Sequence, residues 1–171
     1  MNEGFIHLYT GDGKGKTTAA AGLAARAAGY GKRVVFAQFL KGSQSGEVSS
    51  LEALGIMVVR SKIDFGFCWE MNGGQRETCR AEQERLLGEA RDAGPADLLV
   101  LDEALDAIST GMLDEEALKG LVMQKPERLE LVVTGRAAPG WLVDMAGYIT
   151  EMKKVKHPYD LGVKAREAIE Y

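Results

Sequence analysis

The chain has 171 residues, with 21 Lys and Arg against 25 Asp and Glu, for a formal net charge of −4. That length suits a single domain, 1–171, able to bury about 70% of its unfolded surface. The acidic balance argues against a broad electrostatic footprint for nucleic acid or an anionic membrane. No apolar run approaches a membrane span, and no basic-plus-apolar leader opens the chain. Cys68 and Cys79 fit no metal-ligand spacing and only His7 and His157 are available, so a zinc site is not expected. Two unpatterned cysteines suit a reducing cytoplasm, although the spacing leaves a disulfide open.

Along the chain, Phe5 to Tyr9 is a short β-prone run, and Thr10 to Thr18 follows as Thr-Gly-Asp-Gly-Lys-Gly-Lys-Thr-Thr. The alternating Gly11, Gly13 and Gly15 let the backbone turn its N–H groups toward an anion. Lys16 supplies a point charge for phosphate oxygens, and the Thr17 hydroxyl is placed for a Mg²⁺ ion held against them. An alanine-rich helix is predicted from Thr18 to Ala28, its N-terminal dipole favouring phosphate. The P-loop pattern asks for glycine six residues before the lysine; that position is Thr10, and Gly11 is expected to make the turn instead.

Gly29 and Gly31 stop the first helix ahead of a buried strand from Arg33 to Phe39, and Ile56 to Val59 is a third strand. Asp64-Phe65-Gly66-Phe67-Cys68-Trp69-Glu70 packs three aromatics into five positions. Its glycine and the following Asn72-Gly73-Gly74 predict a loop. Such aromatics serve either as core or as a flat apolar wall for a large planar ligand. Gln75 to Ala93 has the pattern of a long amphipathic helix.

Leu98 to Leu101 is a continuous apolar run, as a central parallel strand requires, and it ends in Asp102-Glu103. Two carboxylates at that point are the acidic partner of a phosphate loop, beside Mg²⁺-triphosphate. Asp114 caps a helix to Val122, Leu129 to Val133 is a strand, Trp141 to Met145 a short helix, and Tyr148 to Met152 an edge strand. Thr134-Gly135-Arg136 brings an arginine to the same rim, facing either nucleotide or solvent. Alternating strands and helices imply an α/β fold with a mostly parallel sheet.

Six segments occur in order at suitable spacings: Thr10–Ala20, Gln38–Gly42, Gly66–Glu70, Val100–Glu103, Val133–Arg136 and the tail from Val155-Lys156-His157 to Gly162-Val163-Lys164-Ala165. Together they resemble the P-loop type of ATP:cob(I)alamin adenosyltransferase. The phosphate loop is common to kinases and ATPases; the aromatic loop and the tail carry the distinction. The resemblance implies a RecA-like fold, a cytoplasmic homodimer, and transfer of the 5′-deoxyadenosyl group of ATP to cob(I)alamin or a related corrinoid, with triphosphate leaving. It implies Mg²⁺ or Mn²⁺ as the ion and a flavin-type reductant protein as a partner.

Carried over by motif, Gly11, Asp12, Gly13, Lys14, Gly15, Lys16, Thr17 and Thr18 hold the nucleotide. Lys16, Thr17 and Glu103 act in catalysis, Thr17 and Glu103 ligate the metal, and Arg136 reaches nucleotide or substrate. Phe67 and Trp69 sit beneath the corrin ring. Asp12 departs from the asparagine usual in relatives and is expected either to turn outward in a left-handed conformation or to weaken ATP binding. The short segment before the first strand leaves an N-terminal lid unaccounted for. Two other readings stand beside this one: a P-loop phosphotransferase or ATPase, and a non-catalytic, ATP-gated corrinoid carrier.

Overall fold

The computed structural model describes residues 3–43, 45–66 and 68–169. Its centre is a six-stranded, all-parallel sheet made of β1 (Ile6–Thr10), β2 (Val34–Gln38), β3 (Met57–Arg60), β4 (Leu98–Asp102), β5 (Glu130–Thr134) and β6 (Tyr148–Glu151). The spatial order is β3-β2-β4-β5-β1-β6. Neighbouring positions on the strands face opposite sides of the sheet, and both sides are covered. Val35, Ala37, Leu99, Leu101, Leu131 and Val133 pack into one core, and Val34, Phe36, Leu98, Val100 and Val132 into the other. A strand buried on both faces has no polar face to show, which is why these segments are unbroken apolar runs.

The helices divide between the two faces. α1 (Lys16–Gly29) and α2 (Gly46–Ala53) contribute Ala20, Ala24 and Leu51 to the second core. α3 (Gly73–Asp92), α4 (Ala104–Ser109), α5 (Glu115–Met123) and α6 (Gly140–Met145) cover the first, with Leu86, Leu105, Leu118 and Leu142 fully buried. The chain runs from β1 across the sheet to β2 and β3, then reverses through β4 and β5 to β6. A constant crossover hand places helices of the two directions on opposite faces. Where the direction reverses, the C-terminal ends of adjacent strands open a crevice for ligands.

The expected elements are present with small shifts. α1 starts at Lys16, two residues before the predicted Thr18, because the loop closes directly into its first turn. α3 begins at Gly73, where Asn72 and Gln75 form a capping box that binds each other's backbone N–H. Asp114 caps α5 through the Glu116 N–H. Two short helices, α2 and α4, have no counterpart in the sequence reading; each is under three turns and lacks a clear apolar period. Cys68 and Cys79 are free thiols, so the open disulfide is not formed. Among the described residues no helix is long and apolar enough to cross a membrane.

Leu131 is fully buried in central β5. Leu131→Ala is expected to lower unfolding free energy by about 2–5 kcal/mol, through lost transfer energy and a cavity. Urea unfolding measures it; a loss under about 1 kcal/mol is inconsistent with this packing.

Candidate functional site

The loop between β1 and α1 lies at the C-terminal rim of the sheet. Gly11 has φ +104, a conformation that disfavours a side chain, so it makes the turn that Thr10 does not. The Lys16 ammonium reaches back across the loop to the carbonyls of Gly11 at 2.7 Å and Gly13 at 2.9 Å. The Gly11 and Gly13 N–H groups donate to the carbonyls of Arg136 and Met152. Donors for an anion therefore concentrate in the first turn of α1, where Lys16, Thr17 and Thr18 precede the first intrahelical bond, Ala19 to Gly15.

The chain after β6 lies against this loop. A Cβ built on Gly13 would come within 2.6 Å of the Met152 carbonyl oxygen, so only glycine admits that approach. The Asp12 carboxylate accepts the Lys154 N–H at 3.0 Å. That bond, aided by the charges of Lys154 and Lys16, lowers the Asp12 pKa despite some desolvation. Asp12 is not left-handed, which removes the first of the two expectations for it; its carboxylate accepts from the tail. The Lys14 ammonium donates to the Ile169 carbonyl at 2.8 Å. The chain after β6 is thus joined to the phosphate loop at Gly13, Asp12 and Lys14, by residues that flank the 155–165 motif.

Asp102, fully buried at the end of β4, is the hub of the rim. Its Oδ1 accepts from the Thr134 hydroxyl at 2.8 Å. Its Oδ2 accepts from the Thr17 hydroxyl at 3.2 Å and from Gln38 Nε2 at 3.4 Å. The carboxylate in contact with Thr17 is therefore that of Asp102, while Glu103 turns to Lys41, Nζ to Oε1 2.9 Å. Lys41 also stands 3.9 Å from Asp102 Oδ2.

Two bulky residues with positive φ shape this ion pair: Leu40, next to Lys41, at +59° and Glu103 itself at +61°. Each conformation costs on the order of 1–3 kcal/mol and persists only when neighbours enforce it. The Leu40 N–H is held by Gln83 Oε1, and the Glu103 N–H by the Thr134 hydroxyl, both at 2.9 Å. The strain aims Lys41 and Glu103 at one another. Burial raises the Glu103 pKa above its ordinary 4.5, against the pull of Lys41 and with the help of Asp102. Burial works to lower that of Lys41, but Glu103 and Asp102 outweigh it, and the ammonium is held more firmly than usual.

Arg136 is exposed at the end of β5, its N–H on Asp106 Oδ1 at 3.2 Å. It borders a cleft of about 210 Å³ with Thr10, Gly11, Val143, Ile149 and Glu151. The aromatic segment leaves the same rim after β3. Gly42 packs against it so closely that an added Cβ would lie 1.9 Å from the Ile63 carbonyl oxygen. Arg76 pins it, donating to the carbonyls of Cys68 at 2.9 Å and Thr110 at 3.1 Å. Trp69 is 76% exposed, which removes the core reading for that ring. Phe67 lies outside the described residues.

Sequence reasoning assigned no role to Gln38, Lys41 or Thr134. The available signal was the segment Gln38–Gly42, in which a glutamine closes an apolar strand and a lysine follows; the register that sets Gln38 beside Asp102 came only with the sheet. Among the described residues no cluster of three or more His, Cys, Asp or Glu could hold a metal alone. The Thr17 hydroxyl with the carboxylates of Asp102 and Glu103 is an all-oxygen set. It suits Mg²⁺, which binds through one or two carboxylates plus substrate phosphates and keeps several waters.

Fold and rim together define a P-loop nucleotide-binding protein of the RecA-like class. A family model described as ATP:corrinoid adenosyltransferase BtuR/CobO/CobP matches residues 2–171. The corrinoid adenosyltransferase CobA of Salmonella typhimurium is 36% identical over 170 residues, covering 98% of this chain and 86% of that protein. The corrinoid adenosyltransferases of Pseudomonas aeruginosa and Escherichia coli K12 are each 34% identical, covering 98% of this chain and 84% and 86% of theirs. The chain belongs to this family, whose activity is the ATP-dependent adenosylation of corrinoids.

The ion pair sets a pH signature. Glu103 is expected to titrate above 4.5, and Lys41→Met, which deletes the cation opposing that shift, moves the midpoint higher. With its folded pKa raised, Glu103 adds stability that is fully present below the unfolded value and lost as pH rises through the folded one. Carbon-13 titration of the Glu103 carboxyl in parent and variant measures both effects. A midpoint at or below 4.5, or a downward move in Lys41→Met, contradicts the assigned burial and pairing.

Proposed function

We propose that this rim transfers the 5′-deoxyadenosyl group of ATP to the cobalt of cob(I)alamin or a related corrinoid and releases triphosphate, with the whole chain, 1–171, acting as one domain. The observation that carries the reading is the Lys16 ammonium inside the glycine loop next to the Thr17–Asp102–Thr134 chain of hydrogen bonds. Residues 11–18 hold the triphosphate, chiefly through Lys16 and the first-turn N–H groups of α1, with Lys14 flanking them. Arg136 is positioned to steer the nucleoside end or the substrate.

Cob(I)alamin arrives as a strong nucleophile, so the site needs no general base. Cobalt attacks the ribose 5′ carbon; the bond from that carbon to the phosphate oxygen breaks, and its electron pair leaves with triphosphate. Cobalt is thereby oxidised from Co(I) to Co(III). The developing charge lies on a polyanion, where Lys16 and preorganised N–H donors stabilise it most. Mg²⁺ or Mn²⁺ bound by Thr17 and Glu103 would neutralise the same oxygens as a Lewis acid. Asp102 orients the Thr17 hydroxyl, and Lys41 holds Glu103.

Trp69, with Phe67, forms the apolar surface beneath the corrin ring. Excluding the lower axial base there eases reduction of Co(II) to Co(I) by a flavin-type reductant protein. The enzyme works as a cytoplasmic homodimer. An ATPase reading shares the loop and the acidic pair, but it gives no use to a tryptophan 76% exposed on the ligand rim.

Incubation with ATP, Mg²⁺ and chemically reduced cobalamin tests the proposal. A light-sensitive adenosylcobalamin spectrum with stoichiometric triphosphate supports it; ADP and phosphate alone, or binding without turnover, refute it. In this assay Lys16→Ala is expected to lose about 10²–10³-fold in turnover, the usual effect of removing one charge-stabilising donor. Near-parent turnover at saturating ATP excludes the assigned role.

Trp69→Ala is expected to leave the melting temperature and ATP affinity nearly unchanged. Turnover driven by a reduced flavoprotein should fall at least about tenfold more than turnover with pre-reduced cob(I)alamin, a difference of some 1.4 kcal/mol in barrier. Equal losses in the two assays return Trp69 to a role unrelated to cobalt reduction.

A further inference from the structure

Gln38 is a polar side chain with no exposure, at the last position of β2. Its Nε2 donates to Glu47 Oε1 at 3.1 Å and to Asp102 Oδ2 at 3.4 Å. Glu47 is held in turn by the Ser45 hydroxyl. The amide orientation follows from these neighbours, since carboxylate oxygens only accept and the NH₂ group must face them. Oε1 is left buried and has no hydrogen-bond partner. An apolar side chain of similar length would fill this space without an uncompensated carbonyl, and an unsatisfied buried acceptor calls for a donor.

The position of the amide narrows what the donor is. Gln38 Nε2 and the Thr17 hydroxyl converge on the same oxygen, Asp102 Oδ2. Gln38 and Asp102 are paired in register on β2 and β4, so strand geometry, rather than a loop, holds the amide there. At Asp102 itself Thr134 takes Oδ1, and the Lys41 ammonium lies on Glu103. The other buried side-chain atom without a partner among the described residues is Arg60 Nε, on the residue in register with Gln38 on β3, and a pairing of Oε1 with it is the competing outcome that parent-like Mn²⁺ affinity in the variants would reveal. Waters on a divalent cation are polarised and donate strongly, and Mg²⁺ keeps several of them when it binds through few protein oxygens.

We infer that Gln38 is a positioning residue for the cation: Nε2 holds Asp102 beside the Thr17 hydroxyl, and Oε1 accepts a hydrogen bond from a cation-bound water. This rests on the proposal that a divalent ion enters with the nucleotide at Thr17. The role differs from that of a ligand, because the amide acts through Asp102 and through water.

The test uses Mn²⁺ as the probe, titrated by electron paramagnetic resonance into the protein with ATP and without corrinoid. Gln38→Met removes both the donor and the acceptor at nearly constant length. Gln38→Asn keeps an amide but withdraws it by one carbon–carbon bond, about 1.5 Å, and so carries the test if the methionine variant does not fold. Both variants are expected to bind Mn²⁺ about tenfold more weakly, the usual effect of losing a group that orients ligands. ATP affinity in excess chelator should stay within about twofold of the parent, a split that general loosening of the fold would not produce.

Parent-like Mn²⁺ affinity in a folded variant overturns the inference, and so does an equal loss of ATP binding with and without metal, which would turn Oε1 toward the nucleotide. If the parent itself shows no Mn²⁺-dependent ATP binding, the cation reading fails and this inference with it, an outcome visible before any variant is made.

Discussion

A carboxylate with no exposure to solvent holds the rim of this protein together. Asp102 is buried at the end of a central strand, where an uncompensated carboxylate would be strongly unfavourable. Hydrogen bonds from Thr17, Thr134 and Gln38 and the nearby Lys41 ammonium provide the compensation. Those four groups come from α1, β5, β2 and the loop after β2. Satisfying one buried group therefore fixes the relative positions of four segments. The phosphate loop is held through Thr17, the second residue of its helix.

The second acidic residue behaves differently because its backbone is strained. Glu103 occupies a left-handed conformation that a glycine would adopt freely, and Leu40 does the same on the facing loop. Each N–H donates a hydrogen bond that holds it, Leu40 to the Gln83 side chain and Glu103 to that of Thr134. Lys41, next to Leu40, and Glu103 then meet as a charge-neutral pair. The same ammonium stands 3.9 Å from Asp102, so one cation serves both carboxylates of the rim.

The tail gives the loop a second anchor. Met152 and Lys154 lie against Gly13 and Asp12, and Ile169 meets Lys14. The loop is consequently clasped between the sheet on one side and the residues after β6 on the other. This accounts for two features at once: the glycine at position 13, which admits the Met152 carbonyl, and the carboxylate at position 12, which accepts the Lys154 N–H.

Much of this was legible in the chain before any coordinates. Apolar runs bounded by glycines located the strands, since strands covered on both faces leave no polar alternation to misread. The order strand, glycine loop, helix located the loop at the rim, since its geometry depends on neighbouring residues and local turns. Asp102-Glu103 was legible as an acidic pair, but not which carboxylate meets Thr17. That choice depends on the left-handed turn at Glu103, enforced by Thr134, 31 residues away. Gln38 and Lys41 were legible as part of a segment but not in their roles, because a glutamine or lysine has meaning only through what it touches. Sequence alone determined the local chemistry of the phosphate loop and the parallel α/β class, both written in short-range patterns. Tertiary structure decided the hub at Asp102, the clasp of the tail and the exposure of Trp69, because each arises from contacts between segments distant in the chain.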